Sequence, residues 1–323
     1  MKSSTPSDAP GGESLRTVVV AFCANLGVAV AKSVAAVVTG SASMVAEAAH
    51  SWADTGNEIF LLVANKRGSR GPDRRRPLGY GREAYVWSLL AAIGLFVAGS
   101  AVSVWHGITS LLGGESSAEN YTINYVVLAV AFVLEGISFL QSVKQIRGEA
   151  NAYETDFLDY ALETSDPTLR AVFAEDAAAL IGLVIAAAGI GLHQLTGSAV
   201  WDALGSIAVG VLLGVVAIVL IDRNRRFLTG EPGPGALWDA VVSGIEKFPE
   251  VASVRFVRIE FVGPKQIFVV ASVDLVGDAV ESSIAHVLRR LESRLESNVA
   301  VVDAVFTVSD PDEGDTGTVS HRT

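Results

Sequence analysis

Six long apolar runs, at 15–38, 43–65, 84–112, 122–146, 170–193 and 199–221, fill the first two thirds of the chain. Each is long enough to cross about 30 Å of hydrocarbon as a helix that rises about 1.5 Å per residue. The expectation is an α-helical membrane protein with six transmembrane helices. Composition agrees, because 50% of residues are hydrophobic and 18% are charged, whereas soluble domains average about a quarter charged residues. The lone cysteine, Cys23, lies within the first run and reads as a buried, inert thiol. A net charge of −11 with no basic groove excludes a nucleic-acid partner; the partner expected along the runs is the lipid bilayer.

The connections alternate in charge. Those at 39–42 and 193–198 carry no Lys or Arg, and 112–121 carries the acids Glu115 and Glu119. Lys66, Arg67, Arg70, Arg74, Arg75, Arg76 and Arg82 crowd the second connection, and Arg223, Arg225 and Arg226 follow the sixth run. Basic residues favour the cytosolic side, so both termini are expected in the cytosol, and in a bacterium the membrane is the plasma (inner) one. The connection at 147–169 is acidic, with Glu149, Glu154, Asp156, Asp159, Glu163 and Asp166, and falls on the cytosolic side by parity. The first run is too long for a signal peptide and lacks its small-residue cleavage site.

After GEPGPG at 230–235 the pattern becomes that of a soluble domain. Helical periodicity at 236–247 and 281–297 alternates with Val-, Ile- and Phe-rich stretches at 251–262, 266–275 and 299–308, and Gly263-Pro264-Lys265 reads as a hairpin turn. The order αββαβ predicts a two-layer cytosolic α+β domain. The expected organisation is a disordered tail at 1–14, a transmembrane domain at 15–222, a linker at 223–235, a C-terminal domain at 236–309 and a second tail at 310–323.

The second run, SMVAEAAHSWADTGNEIFLLVANK at 43–66, contradicts its own hydrophobicity. Spacings of three and four set Glu47, His50, Asp54 and Glu58 along one helix face, with Asn57 beside them. Such a face is costly against lipid unless it meets an ion, water or a partner, so it marks a transport path or a metal site. His50 and Asp54, one turn apart, aim an imidazole and a carboxylate at a common point, which suits a borderline divalent cation. The polar face of a soluble bundle would show the same spacing, and the five other apolar runs weigh against it.

A metal inside a bilayer needs ligands from more than one helix. The fifth run supplies Glu175 and Asp176 in AVFAEDAAALIGLVIA. Zn²⁺ held by Asp54, Asp176 and neutral His50 is formally uncharged, the form a low-dielectric site favours; Glu175 as fourth ligand leaves one surplus negative charge. Adjacent helical residues point about 100° apart, so Asp176 ranks ahead of Glu175. The bland account of the pair is two interfacial acids at a helix start. Glu47 and Glu58 are secondary candidates for a proton path, Asn25 for a weak oxygen ligand or an interhelical contact, and Glu135 for a proton path or a paired structural acid. His106 and His193 read as interfacial.

TGSASMVAEAAHSWADTGNE, PLGYGREAYVWSLLAA, WDALGSIAVGVLLG and the αββαβ tail together resemble the cation diffusion facilitators, exporters of zinc and related divalent metals. HSWADTGNE with AVFAEDAAA is similar to a subgroup typified by mitochondrial zinc exporters and their bacterial relatives. The resemblance implies a homodimer with a ferredoxin- or metallochaperone-like cytosolic domain, a metal bound by the second and fifth helices, and exchange of metal for protons. It also implies two ligands four apart on each helix. His50 and Asp54 match the first pair and Asp176 the second member of the other, but Val172 stands where that pair's first ligand belongs, leaving Glu175 or water as the fourth. A loop site of some members reads Asp73, Arg76 and Tyr80 here, which is unsuited to metal, and the tail domain offers His286 as a surface histidine.

Proton coupling also follows from the ligands, because metal and protons compete for the same lone pairs. The cargo is expected to be Zn²⁺, though one imidazole with carboxylates does not choose among Zn²⁺, Mn²⁺, Fe²⁺ and Co²⁺. The rival reading is an enzyme. Glu47-Ala-Ala-His50 is a Glu-x-x-His pair, half of what a membrane di-iron oxidase requires, and no apolar run supplies the second.

Overall fold

The computed structural model describes residues 15–113, 121–152 and 155–309. The tails expected at 1–14 and 310–323, and the acids Glu115, Glu119 and Glu154, lie outside the described residues. The first two apolar runs form α1 (Leu15–Thr39) and α2 (Ala42–Gly68). In the third, α3 (Arg82–Gly94) and α4 (Val102–Gly113) are joined through a π-helical stretch, Leu95–Ala101, into one rod. The others form α5 (Tyr121–Ala152), α7 (Pro167–Thr196) and α8 (Val200–Thr229).

Between α5 and α7 lies a short helix, α6 (Phe157–Glu163), in the connection that periodicity left without an element. It forms because the Asp156 side chain accepts from the Leu158 N–H at its N-terminus, and Asp159 sits favourably in its first turn. α7 begins at Pro167, where a missing N–H costs nothing, and Asp166 accepts from the N–H groups of Thr168 and Leu169.

Among the described residues five helical stretches are long and apolar enough to cross a membrane: Phe22–Thr39, Arg82–Gly113, Tyr121–Ala152, Pro167–Thr196 and Val200–Thr229. The remaining expected span, α2, has 27 residues but is not in that set, its hydropathy lowered by Glu47, His50, Asp54, Asn57 and Glu58. Val37, Trp105, Leu140 and Leu195 stand exposed on the outer faces, as a multi-pass membrane protein requires. Cys23 is also exposed, not buried as expected: a small residue on a largely apolar helix can face outward at little cost when the solvent is lipid.

The chain divides into two compact units. The first draws on Met1–Ile59, Ala91–Lys144 and Val172–Ile218. Its core contains Val28, Met44, Leu128, Leu183 and Ile190, with a second cluster of Ala46, Ala53, Leu95, Ala178, Val209 and Leu213. Many of these positions are Ala, and small residues let helix backbones approach closely where lipid supplies no hydrophobic drive.

The second unit draws on Phe60–Leu90, Gln145–Ala171 and Val219–Thr323. It holds α9 (Gly235–Glu246), β1 (Val251–Gly263), β2 (Gln266–Leu275), α10 (Glu281–Glu296) and β3 (Val301–Val308), the expected αββαβ order. β1 pairs antiparallel with β2, with Phe261 opposite Ile267, and β2 pairs parallel with β3, with Val273 opposite Val308. This is the ferredoxin-like βαββαβ order without its first strand.

Tyr85 of α3 and Phe227 of α8 extend the core of that domain; their rings stack at 5.0 Å, and Phe227 meets Phe261 edge-on at 5.6 Å. Burying each such ring contributes about 1.5–3 kcal/mol. α8 consequently continues to Thr229, through the first half of the stretch expected as a linker, and the Arg226–Glu231 ion pair ties down the residues just past its end. The turn after β1 is held equally firmly. Lys265 adopts a left-handed φ of 56°, its N–H donates to Ser165 Oγ at 3.0 Å, and its ammonium pairs with Glu149 at 2.8 Å. Gly81 and Gly263 abut so closely that a Cβ on Gly81 would lie 2.5 Å from the Val262 carbonyl oxygen.

Candidate functional site

α2 carries the polar stripe, and the start of α2 is fixed from another helix. Asp202, at the start of α8, accepts from Ser41 Oγ at 2.9 Å and from the N–H groups of Ala42 and Ser43 at 2.5 and 3.2 Å. A carboxylate satisfying the orphan N–H groups of a helix N-terminus fixes both the start and the rotation of that helix.

The rotation turns Glu47, His50 and Asn57 into the first unit, where all three are buried. His50 Nε2 lies 3.4 Å from Asp54 Oδ2, so these two converge as the spacing predicts. Neither ring nitrogen of His50 makes a hydrogen bond, and Asp54 Oδ1 is also buried without a partner. Buried polar atoms are nearly always paired, so these unpartnered ring nitrogens and the Asp54 oxygen are lone groups able to meet a cation or a proton.

Glu175 and Asp176 of α7 diverge, as neighbours on a helix must. Glu175 is buried and accepts from Asn57 Nδ2 of α2, whereas Asp176 accepts from Ser138 Oγ of α5 at 2.7 Å. Both act electrostatically on Asp54, as do Glu135 and Lys32. Among the described residues no three His, Cys, Asp or Glu side chains are gathered closely enough to hold a metal. The α2 pair and the α7 pair thus lie within electrostatic reach while two hydrogen bonds hold the α7 acids elsewhere. Val172, one turn before Asp176, offers no ligand.

The secondary candidates have specific partners. Asn25 of α1 donates to Glu58 at 2.6 Å, an interhelical contact made through its amide nitrogen, and Glu58 Oε2 remains without a partner. Glu135, half-buried on α5, lies within electrostatic reach of Lys32 and Glu47. His193 is buried against the Tyr121 ring edge at 6.0 Å, and His106 is half-buried. His286 is exposed on α10. In the loop before α3, Asp73 accepts from Tyr80 Oη and from the N–H groups of Arg75 and Arg76, each at 2.8 Å. These bonds, Tyr80's first, hold the Asp73 carboxyl below the usual carboxylate range.

Three residues of this cluster escaped the sequence reading: Lys32, Ser138 and Asp202. Lys32 is fully buried in α1 and donates to Glu47 at 2.9 Å. The signal was present, since a lysine inside an apolar run is itself an intramembrane charge in need of a partner. Lys32 and Glu47 also stand almost equally far on either side of Gly40, the turn of a tight helical hairpin, which puts them at the same height. Ser138 gave no signal, because a serine in a membrane helix is ordinary.

The cation efflux transmembrane domain family matches residues 18–228. The relative named proton-coupled zinc antiporter SLC30A9, mitochondrial, from Xenopus laevis is 36% identical over 268 residues, covering 83% of this chain and 48% of its own length. Metal tolerance protein C4 of Arabidopsis thaliana is 36% identical over 241 residues, covering 73% of this chain and 52% of its own. Magnetosome protein MamB of Magnetospira sp. (strain QH-2) is 26% identical over 276 residues, covering 82% and 87%. The chain spans about half the length of the first two.

Proposed function

The chain belongs to the cation efflux family, and from that premise we propose that it carries a divalent metal cation, Zn²⁺ first, out of the cytosol in exchange for protons. It works as a secondary transporter rather than an enzyme. The cargo binds between α2 and α7, with His50, Asp54 and Asp176 as ligands and Glu175 or water completing the set. One observation carries the reading: the pair of buried His50 and half-buried Asp54, with both ring nitrogens and Asp54 Oδ1 unpartnered, within electrostatic reach of both α7 acids. The name of the Xenopus relative, a proton-coupled zinc antiporter, supports the cargo and the coupling.

The chemistry of exchange is set by the donors. Metal binds carboxylates and imidazole in their deprotonated forms, so each ion loaded displaces protons. An empty site would otherwise leave several carboxylates facing one another in apolar surroundings, and it takes protons back. Ser138 and Asn57 stand in for the cation: they hold Asp176 and Glu175 until the ion draws both acids toward α2. Glu58 and Glu135 lie along the route by which protons leave. The working form is a homodimer in a bilayer with both termini cytosolic, in the plasma membrane in a bacterium.

The di-iron alternative gains no support. Glu47, which would be an iron ligand, is paired with Lys32, and the cation efflux match points to transport. Flux decides the matter: Zn²⁺ uptake into inverted vesicles or proteoliposomes carrying a pH gradient is expected to be lost in Asp54→Ala and in Asp176→Ala. Transport that survives both substitutions would remove the proposed site.

A further inference from the structure

Lys32 places an amino group paired with a carboxylate beside the residues proposed as the metal site. Its ammonium lies 2.9 Å from Glu47 Oε2, and both side chains are fully buried. It also acts electrostatically on His50 of α2, and Asp54 of α2 and Glu135 of α5 act on it in turn. The other oxygen of Glu47, Oε1, has no hydrogen-bond partner. It lies against α7 at Gly182, where a Cβ would be only 2.8 Å away.

Glu47 precedes His50 by three residues, the Glu-x-x-His spacing with which helical bundles bring a carboxylate and an imidazole onto one metal ion. By position, then, Glu47 belongs to the coordination set. By contact it does not, because Oε2 is held by a tethered cation and Oε1 lies against Gly182 of α7. A buried ion pair costs desolvation on both sides and is weak evidence for stability, so a role in selecting the ligand set explains it better.

We propose that Lys32 is a specificity-determining residue: it holds Glu47 out of the metal's coordination shell and keeps one further carboxylate off the site. The consequence is a site that binds its cargo loosely enough to release it. An additional hard oxygen ligand would tighten binding, more for Mn²⁺ than for Zn²⁺, because carboxylate-rich sets suit the harder ion.

The inference rests on the metal site proposed above, and the test separates the two. Zn²⁺ and Mn²⁺ affinities are measured by chelator competition on the full chain in nanodiscs, together with Zn²⁺ flux in proteoliposomes. Lys32→Met is expected to tighten Zn²⁺ by about tenfold and Mn²⁺ by more, while turnover slows as release becomes limiting. Adding Glu47→Gln to Lys32→Met returns both affinities to within about twofold of the starting protein, since the recruited ligand is gone. Glu47→Gln alone leaves a bare ammonium beside the site and weakens both ions.

Tightening that persists in the double variant, or unchanged or weakened binding in Lys32→Met, overturns the proposal. If Lys32→Met fails to fold, Lys32→Leu, which likewise removes the donor to Glu47, takes its place with the same expectations. Zinc X-ray absorption on the unsubstituted protein gives a readout that needs no lysine variant. Its oxygen and nitrogen shell is expected to be identical in Glu47→Gln, and a lost oxygen neighbour refutes the idea. Failure of the site itself looks different: Zn²⁺ binding is then indifferent to Asp54→Ala.

Discussion

Arg170 in the second unit and His50 in the first are both fully buried, yet the molecule treats them in opposite ways. The Arg170 guanidinium donates to the Thr164 carbonyl at 2.6 Å and to Asn224 Oδ1 at 2.9 Å, and it lies 5.2 Å over the Phe227 ring. Asn224 in turn donates to Ser88 Oγ at 3.2 Å. His50 has only Asp54, at 3.4 Å and without a hydrogen bond from either ring nitrogen. Arg170 keeps one unpartnered nitrogen, Nε, but its two terminal nitrogens are engaged, and such a network fixes structure because removing a member strands its partners. An incomplete set of acceptors is stable only with something added, and the cheapest addition is a cation.

The largest effect should separate the two regions outright. Asp54→Ala is expected to lower Zn²⁺ flux by on the order of 100-fold or more while leaving the melting temperature nearly unchanged, since it removes a proposed ligand and no hydrogen-bonded partner. Arg170→Met should do the reverse. Stranding the Thr164 carbonyl and Asn224 is expected to cost about 2–4 kcal/mol in a denaturant titration, with Zn²⁺ affinity of the folded fraction preserved. If Arg170→Met instead left stability alone and abolished binding, the distinction between the regions would collapse.

Smaller effects sharpen it. Gly81→Val forces a side chain into the Val262 carbonyl oxygen and is expected to cost about 1–3 kcal/mol. Faster amide exchange in the β1–β2 hairpin, with flux reduced by less than Asp54→Ala reduces it, is the measurement. Ser138→Ala frees Asp176 from its 2.7 Å hydrogen bond and should tighten Zn²⁺ by about two- to fivefold. An unchanged affinity would mean that Ser138 does not hold the acid in reserve.

The smallest effect concerns Glu250, whose carboxyl is held below the ordinary glutamate range by its own backbone N–H first and then by Arg294. A depressed carboxylate contributes stability above its unfolded value and loses it as the pH falls through the lower folded value. Glu250→Gln is therefore expected to flatten slightly the acid limb of melting temperature against pH, and an unaltered limb counts against the contact.

Much of the fold was legible because it depends on local pattern. Apolar length gave the spans, and the switch to short β-branched stretches gave the tail domain. The stripe of α2 was legible for the same reason, since a helix converts spacing into direction without help from elsewhere. α6 was missed because a single capping aspartate, not periodicity, creates it. The extension of α8 was missed because an aromatic stack from a distant helix, Tyr85 on Phe227, rewards continuing it.

The sequence by itself determined that His50 and Asp54 face one point and that acids from two apolar helices need a common explanation. Only the tertiary structure decided which neighbour each acid has: Lys32 for Glu47, Asn57 for Glu175, Ser138 for Asp176. The reason is physical. Direction along a helix follows from a fixed turn per residue, but the choice of partner depends on how two helices are rotated against each other. That rotation is set by small residues and caps such as Asp202, spread over the whole chain.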